Sequence, residues 1–131
     1  MNQLFDPTTF PNLLLGDKEE ALTKGELVFE SIIKDGRAEA EVHWLFKADQ
    51  ANGASAAIIK YLPGGSVPPH FHNGHELIFV LDGEMITSTG TVKKNDLVLL
   101  KPGSSHSSSC EIGCLALILW MQSVSPLLEV A

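Results

Sequence analysis

Hydrophobic and polar residues alternate over short segments along most of the chain. Within residues 39–47, Val42, Trp44 and Phe46 alternate with charged residues and with His43. A period of two is typical of a strand with one buried face. The pattern therefore predicts that Val42, Trp44 and Phe46 face the core, while His43 points outward and is a solvated histidine rather than a metal ligand.

Further runs of apolar and β-branched residues have the length of strands. They are Leu27–Ile33, Ala56–Leu62, Glu76–Leu81, Glu84–Ser88, Leu97–Lys101, His106–Cys110 and Cys114–Met121. Turn-forming residues separate them, among them Pro63-Gly64-Gly65, Asn73-Gly74, Asp82-Gly83 and Pro102-Gly103. Many short strands with frequent turns, and no amphipathic helix of useful length, predict an all-β sandwich or barrel.

The length of 131 residues predicts one domain with one core. Residues 1–22 contain Pro7, Pro11 and Gly16, so we expect an irregular N-terminal arm, followed by the β-barrel domain over residues 23–131. The last predicted strand, Cys114–Met121, is apolar on both faces. This pattern predicts cover on both sides and favours a homodimer.

Charge and composition exclude several partners. Nine basic against 16 acidic residues give a net charge of −7, without the Lys and Arg cluster that nucleic acid binding requires. The N-terminus has neither a basic start nor a long apolar run, so we expect no signal peptide and no membrane span. Two cysteines are too few for a disulfide scaffold, and a cytoplasmic location with reduced thiols is the expectation.

The residues that carry chemistry lie between Gly64 and Glu76. His70 and His72 are two apart on an extended stretch, which places both imidazoles on one face. Glu76 begins a strand on which Ile78 shares its face, so the carboxylate can enter an apolar interior beside the imidazoles. A buried carboxylate is costly without a compensating cation, and a metal ion would stabilise it.

His106, from a later strand, could complete this site. Three imidazoles and one carboxylate suit a divalent Fe, Mn, Co, Ni, Cu or Zn ion, with Fe or Zn favoured. Octahedral coordination would leave two positions for water, dioxygen or a chelating small-molecule substrate. A closed structural site is the alternative.

Neighbouring residues receive other assignments. His75 is adjacent to Glu76 and should face the opposite way. Cys110 and Cys114 are expected to be buried, inert thiols. Two further groups are assigned by strand parity: Ile78, Val80 and Leu99 would line the pocket, and the hydroxyls of Ser104 and Ser108 could contact a substrate.

The segment from Gly64 to Gly83 resembles the first motif of the cupins: glycine, five residues, His-x-His, three residues, Glu, six residues, glycine. In the second cupin motif Gly103 and His106 match. Asn95 stands in place of the first glycine, Lys101 in place of proline, and Cys110 in place of asparagine. Over roughly residues 40–120 the chain is similar to the ChrR-like cupins.

The resemblance implies a single jelly-roll barrel, a double-stranded β-helix, that binds metal through His70, His72, Glu76 and His106. Fold alone does not decide the activity. One hypothesis is a metal-dependent dioxygenase acting on a small diketone, hydroxyketone or other enolisable carbonyl compound. A second is a non-catalytic barrel that senses a ligand or an oxidant, as the ChrR-like cupins imply. A third is an isomerase or cyclase, for which His75 or Tyr61 would have to supply a base.

Overall fold

The computed structural model describes residues 10–16, 21–32, 38–50 and 53–126, and these contain strands, turns and bends but no helix. No helix that could cross a membrane occurs in this part of the chain. Its strands are β1 (Leu14–Leu15), β2 (Thr23–Lys24), β3 (Glu30–Ser31), β4 (Ala38–Phe46), β5 (Ser55–Phe71), β6 (Glu76–Thr87), β7 (Gly90–Lys93), β8 (Leu97–Leu100), β9 (Ser105–Cys110), β10 (Cys114–Trp120) and β11 (Ser125–Pro126).

The main sheet closes on itself, as the predicted jelly-roll barrel requires. Its strands follow the order β10-β6-β9-β5-β4-β3, and an additional pairing of β10 with β5 completes the barrel. All pairings are antiparallel. Side chains that alternate along the strands fill the interior, where Ile59, Val80 and Ala116 are fully buried. The all-β fold class is therefore confirmed.

Strand β5 passes without a break through the segment predicted to be a turn at Pro63-Gly64-Gly65. Its first half pairs with β4 and β10, and its second half pairs with β9 and β11. Gly64 has a φ of +90°, a conformation that glycine adopts without strain. The glycine bends the strand into a second set of partners rather than reversing it, so the prediction of a turn was wrong.

Strand β6 likewise continues through Asp82-Gly83, where a turn was predicted. Gly83 has a φ of +75°, and a Cβ atom there would collide with the carbonyl oxygen of Gly113. Just before it, the ladder with β10 shifts register between Leu115 and Ala116. Such a β-bulge changes which residues face inward. Val80 precedes the bulge and Met85 follows it, and both are buried although their numbers differ in parity.

A bulge also limits the prediction for β4. Val42 is buried and Trp44 partly buried, but Phe46 is 52% exposed, so its predicted place in the core was wrong. The β4–β5 ladder shifts register between Trp44 and Phe46, and this shift ends the simple alternation. The predicted strand Leu27–Ile33 is shorter in the structure, where only β3 pairs with β4.

The N-terminal region contains a small sheet that the sequence did not predict. Strand β1 pairs with β2, so Leu15 lies opposite Thr23 across the expected boundary between arm and barrel. Beyond these strands, Phe29 packs its ring against His43 and accepts the Lys60 ammonium over its face at 4.3 Å. This end of the chain therefore covers part of the outer surface of β4 and β5.

Candidate metal centre

Four side chains from three parts of the barrel meet in one buried cluster. His70 lies near the end of β5, His72 follows that strand, Glu76 begins β6, and His106 is the second residue of β9. His70 and His106 are direct partners in the β5–β9 ladder. All four residues are buried, with exposures between 0% and 8%. The structure thus brings together all four residues predicted as metal ligands.

The cluster is compact enough for a single ion. One nitrogen or oxygen from each residue lies within 4.8 Å of the others. The ring centroid of His106 lies 4.7 Å from the centroid of His70 and 4.7 Å from that of His72, and the rings meet edge to face. The Nε2 atom of His72 lies 3.7 Å from the Glu76 carboxylate, which is too long for a hydrogen bond.

Hydrogen bonds on the outer side of the cluster fix two of the imidazoles. The Nδ1 atom of His70 lies 3.1 Å from the carbonyl of Pro68, which can only accept, so this nitrogen donates. The Nδ1 atom of His72 donates to the Ser104 carbonyl at 3.1 Å and to its hydroxyl at 2.9 Å. The Ser104 hydroxyl in turn donates a hydrogen bond to the Lys101 carbonyl at 2.6 Å. In a neutral ring, Nε2 of His70 and His72 therefore keeps its lone pair.

Ser104 consequently has a different role from the one predicted. Its hydroxyl was expected to contact a substrate, but it holds His72 in place. Backbone hydrogen bonds also fix the position of His72. The His72 amide donates to the Ser104 carbonyl at 2.8 Å, and the Gly103 amide donates to the His72 carbonyl at 2.9 Å. Such partners orient a metal-binding histidine and select its tautomer.

Burial keeps two of the imidazoles neutral. It lowers the pKa of His72, against an opposing effect of the hydrogen bond to Ser104. Burial also lowers the pKa of His106 from 6.5 to about 4, and repulsion from His70 and His72 adds to this shift. Neutral imidazoles offer the lone pairs that a metal ion requires.

The cluster fits a divalent transition metal. The Nε2 atom of His72 and the Nδ1 atom of His106 are buried and lack a hydrogen-bond partner among the described residues. An orphaned buried nitrogen costs free energy, which coordination to a cation would recover. Three imidazoles with one carboxylate are a donor set that such ions accept. His70, His72, Glu76 and His106 could therefore hold a metal ion, and the donor set does not select one metal.

A pocket that is partly open to solvent adjoins the cluster and touches His70, Glu76 and His106, and its empty space, open solvent included, is about 270 Å³. Apart from these three residues its wall is mostly apolar or aromatic, and includes Tyr61, Val67, Ile78, Met85, Ile118 and Trp120. Ser108 also lies on this wall. This cavity therefore lies next to the candidate metal centre.

Two of the three apolar residues predicted for the pocket wall lie elsewhere. Ile78 lines the cavity, but Val80 is buried in the core away from it, and Leu99 is 53% exposed. Leu99 pairs with Leu77 on the outer side of β6, since it is Val98 that pairs with Ile78. The assignment of Leu99 was therefore wrong by one residue in strand parity.

The remaining candidates lie outside the cluster. His75 is exposed, and the Nδ1 atom of His43 lies 3.0 Å from the backbone nitrogen of Val28 on the outer surface. Cys110 and Cys114 are buried free thiols, as predicted. The hydrogen bond that the Cys114 thiol donates to Cys110, with burial as the next cause, raises the pKa of Cys114 far above its usual range and keeps it protonated.

Two of the departures from the second cupin motif, Asn95 and Lys101, are compatible with the local backbone. Asn95 has a φ of +72°, the left-handed conformation that the motif's glycine would adopt. Asparagine tolerates this conformation better than most residues. Lys101 contributes its backbone carbonyl, which accepts from the Ser104 hydroxyl. The contact that orients His72 through Ser104 is therefore retained with lysine at position 101.

Comparison with known proteins places this geometry in a family. Residues 19–123 match the family described as the ChrR Cupin-like domain. The match covers most of the chain, so the protein is a cupin. More particularly, it belongs to the ChrR cupin-like domain family.

Among curated proteins, the chain is similar to germin-like protein subfamily 2 member 4 from Arabidopsis thaliana, with 42% identity over 41% of this chain and 29% of the plant protein. The chain thus matches less than a third of that relative's length.

Solved structures share the fold at low sequence identity. The acetylacetone dioxygenase from Acinetobacter johnsonii has a TM-score of 0.72 and 13% identity, over 88% of this chain and 84% of its own. The polyketide cyclase RemF from Streptomyces resistomycificus has a TM-score of 0.66 and 20% identity, over 80% and 82%. A complex of Rhodobacter sphaeroides SigE with the anti-sigma ChrR gives a TM-score of 0.59 and 21% identity, over 72% and 49%.

The lowered pKa of His106 predicts how the metal-free protein responds to pH. Between pH 4 and 6.5 the unfolded chain binds more protons at this residue than the folded chain does. The free energy of unfolding should therefore fall as the pH decreases through this window, by at most about 1.4 kcal/mol per pH unit for one such group. Urea unfolding in the presence of a chelator at several pH values measures the slope.

The variant His106→Gln should show a shallower slope, because it removes one of the groups that take up a proton on unfolding. Equal slopes for the wild type and His106→Gln would contradict the lowered pKa of His106 as a cause of the pH dependence.

Proposed function

We propose that this protein binds one divalent transition metal ion through His70, His72, Glu76 and His106 and acts as a dioxygenase on a small enolisable carbonyl compound, such as a diketone or hydroxyketone. The observation that carries the proposal is the position of the four-residue cluster at a largely apolar cavity. Four protein donors leave positions on an octahedral ion for a second reactant. Fe or Zn is the favoured metal, and of the two only Fe is redox-active and would serve a dioxygenase.

The residues around the cluster suit such a substrate. Apolar side chains, among them Val67, Ile78 and Ile118, would exclude water and contact the hydrocarbon part of the compound. The imidazoles remain oriented through Pro68 and Ser104, so they need not rearrange when a ligand enters. When bound, the metal would polarise the carbonyl oxygens and allow dioxygen to be reduced as a carbon–carbon bond breaks, with both oxygen atoms entering the products.

The fold similarity to the acetylacetone dioxygenase supports this choice of substrate class. Membership of the ChrR cupin-like domain family favours a second candidate, a metal-bound barrel that senses a small ligand or an oxidant without turning it over. The two candidates share the metal site and differ in whether a reaction follows.

Metal binding should depend on His106 and not on His43. His106→Ala removes one of the four donors and should lower the affinity for the metal by more than about a hundredfold. His43→Ala is the matched control, because His43 contacts Val28 and Phe29 on the outer surface. Metal content per chain after purification without chelators measures the difference. Loss of the metal in His43→Ala with retention in His106→Ala would overturn the site.

Iron-loaded protein should consume dioxygen in the presence of some member of a panel of diketones and hydroxyketones that includes acetylacetone. One dioxygen molecule should disappear for each substrate molecule, and His106→Ala should be inactive. An oxygen electrode with product analysis measures the stoichiometry. Zinc in the purified protein, and no oxygen uptake after reconstitution with iron, would contradict the dioxygenase and favour the sensing barrel.

We also propose that two copies of this chain associate through the outer face of β8, β6 and β10. The register of these strands aligns two apolar rows across that face, namely Leu99, Leu77 and Leu119, and Leu97, Phe79 and Leu117. Leu97 is 65% exposed and Leu99 53% exposed. The rows carry no charge although the chain has a net charge of −7, so a second copy could meet them without bringing like charges together.

The double variant Leu97→Glu/Leu99→Glu should weaken this association by about a hundredfold or more, because each copy would present charges to the other. Ile112→Glu is the control, since Ile112 is 57% exposed but lies in the turn between β9 and β10. Sedimentation equilibrium measures the dissociation constants. A monomeric wild type, or equal weakening by Ile112→Glu, would exclude this face as the dimer contact.

A further inference from the structure

Ser108 is a polar residue on the inner side of the barrel. It lies two residues after His106 on β9, so its side chain shares the inward face with that histidine. In the ladders it stands opposite Val67 of β5 and Thr87 of β6. Val67 lines the same cavity. The hydroxyl of Ser108 is therefore presented to a space whose wall is mostly apolar.

The Ser108 hydroxyl has no hydrogen-bond partner within the part of the chain that the structure describes. By contrast, the Ser104 hydroxyl bonds both His72 and Lys101. A hydroxyl without a partner at an inward position does not contribute to folding stability. An alanine in its place would serve the apolar wall equally well.

The lack of charged side chains on the cavity wall outside the candidate metal centre limits which ligand groups can bind near this hydroxyl. Outside the candidate metal centre, the described residues that line the cavity include no Lys, Arg, Asp or Glu. A carboxylate or phosphate held near Ser108 would therefore lose its hydration without gaining a cation. A neutral carbonyl or hydroxyl oxygen can accept or donate one hydrogen bond there without that cost.

We infer that Ser108 is a ligand-positioning residue whose hydroxyl hydrogen-bonds a neutral oxygen atom of the molecule that occupies the cavity. The inference rests on the proposed function, because it takes the molecule to be a small carbonyl compound held at the metal by its other end. Ser108 and the candidate metal centre together fix the ligand at two points. Two points of attachment define the orientation of the ligand, whereas a single point would allow it to rotate.

Equilibrium binding of a β-diketone to zinc-loaded protein tests this inference without any turnover. Acetylacetone is the first probe, and the fluorescence of Trp120, which lines the cavity, reports its binding. Loss of one neutral hydrogen bond in Ser108→Ala should raise the dissociation constant by about fivefold. Ser108→Thr keeps the hydroxyl and should restore binding to within about twofold of the wild type.

Ser107→Ala is the matched control on the same strand. Ser107 alternates with Ser108, faces away from the cavity and is not among the residues that line it. This variant should bind the probe as the wild type does. Metal content and thermal stability should be equal in all four proteins, because neither serine is part of the candidate metal centre.

A second pair of probes tests the neutral class of ligand. One is a β-diketone with a propyl tail, and the other replaces the terminal methyl group of that tail with a carboxylate. The neutral compound should bind at least about tenfold more tightly, because the wall offers no cation to the charged tail. Equal affinity for the two compounds would contradict the inference that the cavity prefers a neutral ligand.

The possible failures are distinguishable. If the wild type binds the diketone and Ser108→Ala binds it equally well, or if Ser107→Ala loses as much affinity, the role of Ser108 is excluded while the proposed function stands. If the wild type binds none of the diketones, the proposed substrate class fails and the role of Ser108 fails with it. If Ser108→Ala weakens binding but iron-loaded protein consumes no oxygen, the positioning role stands and the dioxygenase activity fails.

Discussion

The pairing of His70 with His106 across β5 and β9 is the contact on which the candidate metal centre depends. In an antiparallel ladder, a slip of one residue turns every side chain of the strand to the opposite face. Such a slip would remove one of the two imidazoles from the interior. The backbone hydrogen bonds of His72 to Gly103 and Ser104 fix the same register one step further along. The ladder that closes this side of the barrel therefore also assembles the cluster.

The barrel can close around that cluster because two long strands change partners without ending. Gly64 in β5 and Gly83 in β6 both have a positive φ, and each marks the point where its strand leaves one set of neighbours for another. At Gly83 a side chain is excluded by the carbonyl of Gly113 as well, whereas Gly64 has open space around it. The two glycines of the first motif thus share a conformation but differ in how tightly they are packed.

The alternation of side chains along the predicted strands was sufficient to predict most members of the metal-binding cluster. The spacing of His70 and His72 and the position of Glu76 at the start of a strand placed these side chains inside, and the same alternation placed His43 and His75 outside. What the sequence alone could not provide was the bulges. Each results from the pairing of strands that are distant along the chain, and each shifts the alternation by one residue.

The misplacement of Phe46 and the omission of Met85 follow from this limit. Phe46 lies beyond the bulge in β4, and Met85 reaches the cavity only because of the bulge in β6. The role of Ser104 was missed for a related reason. Its sequence position allowed a hydroxyl near the site, but only the fold shows that the side chain of His72 reaches it first. Ser108, which has the same parity as His106, is the serine that remains on the cavity wall.

The loop before β9 influences His72 through a small number of atoms: the amide of Gly103, the carbonyl and hydroxyl of Ser104, and the carbonyl of Lys101. All but one of these belong to the backbone, which every amino acid supplies. The side chain at position 101 therefore takes no part in orienting the histidine, because the contact is made by its carbonyl. A lysine in place of the motif's proline is thus compatible with the observed orientation of His72.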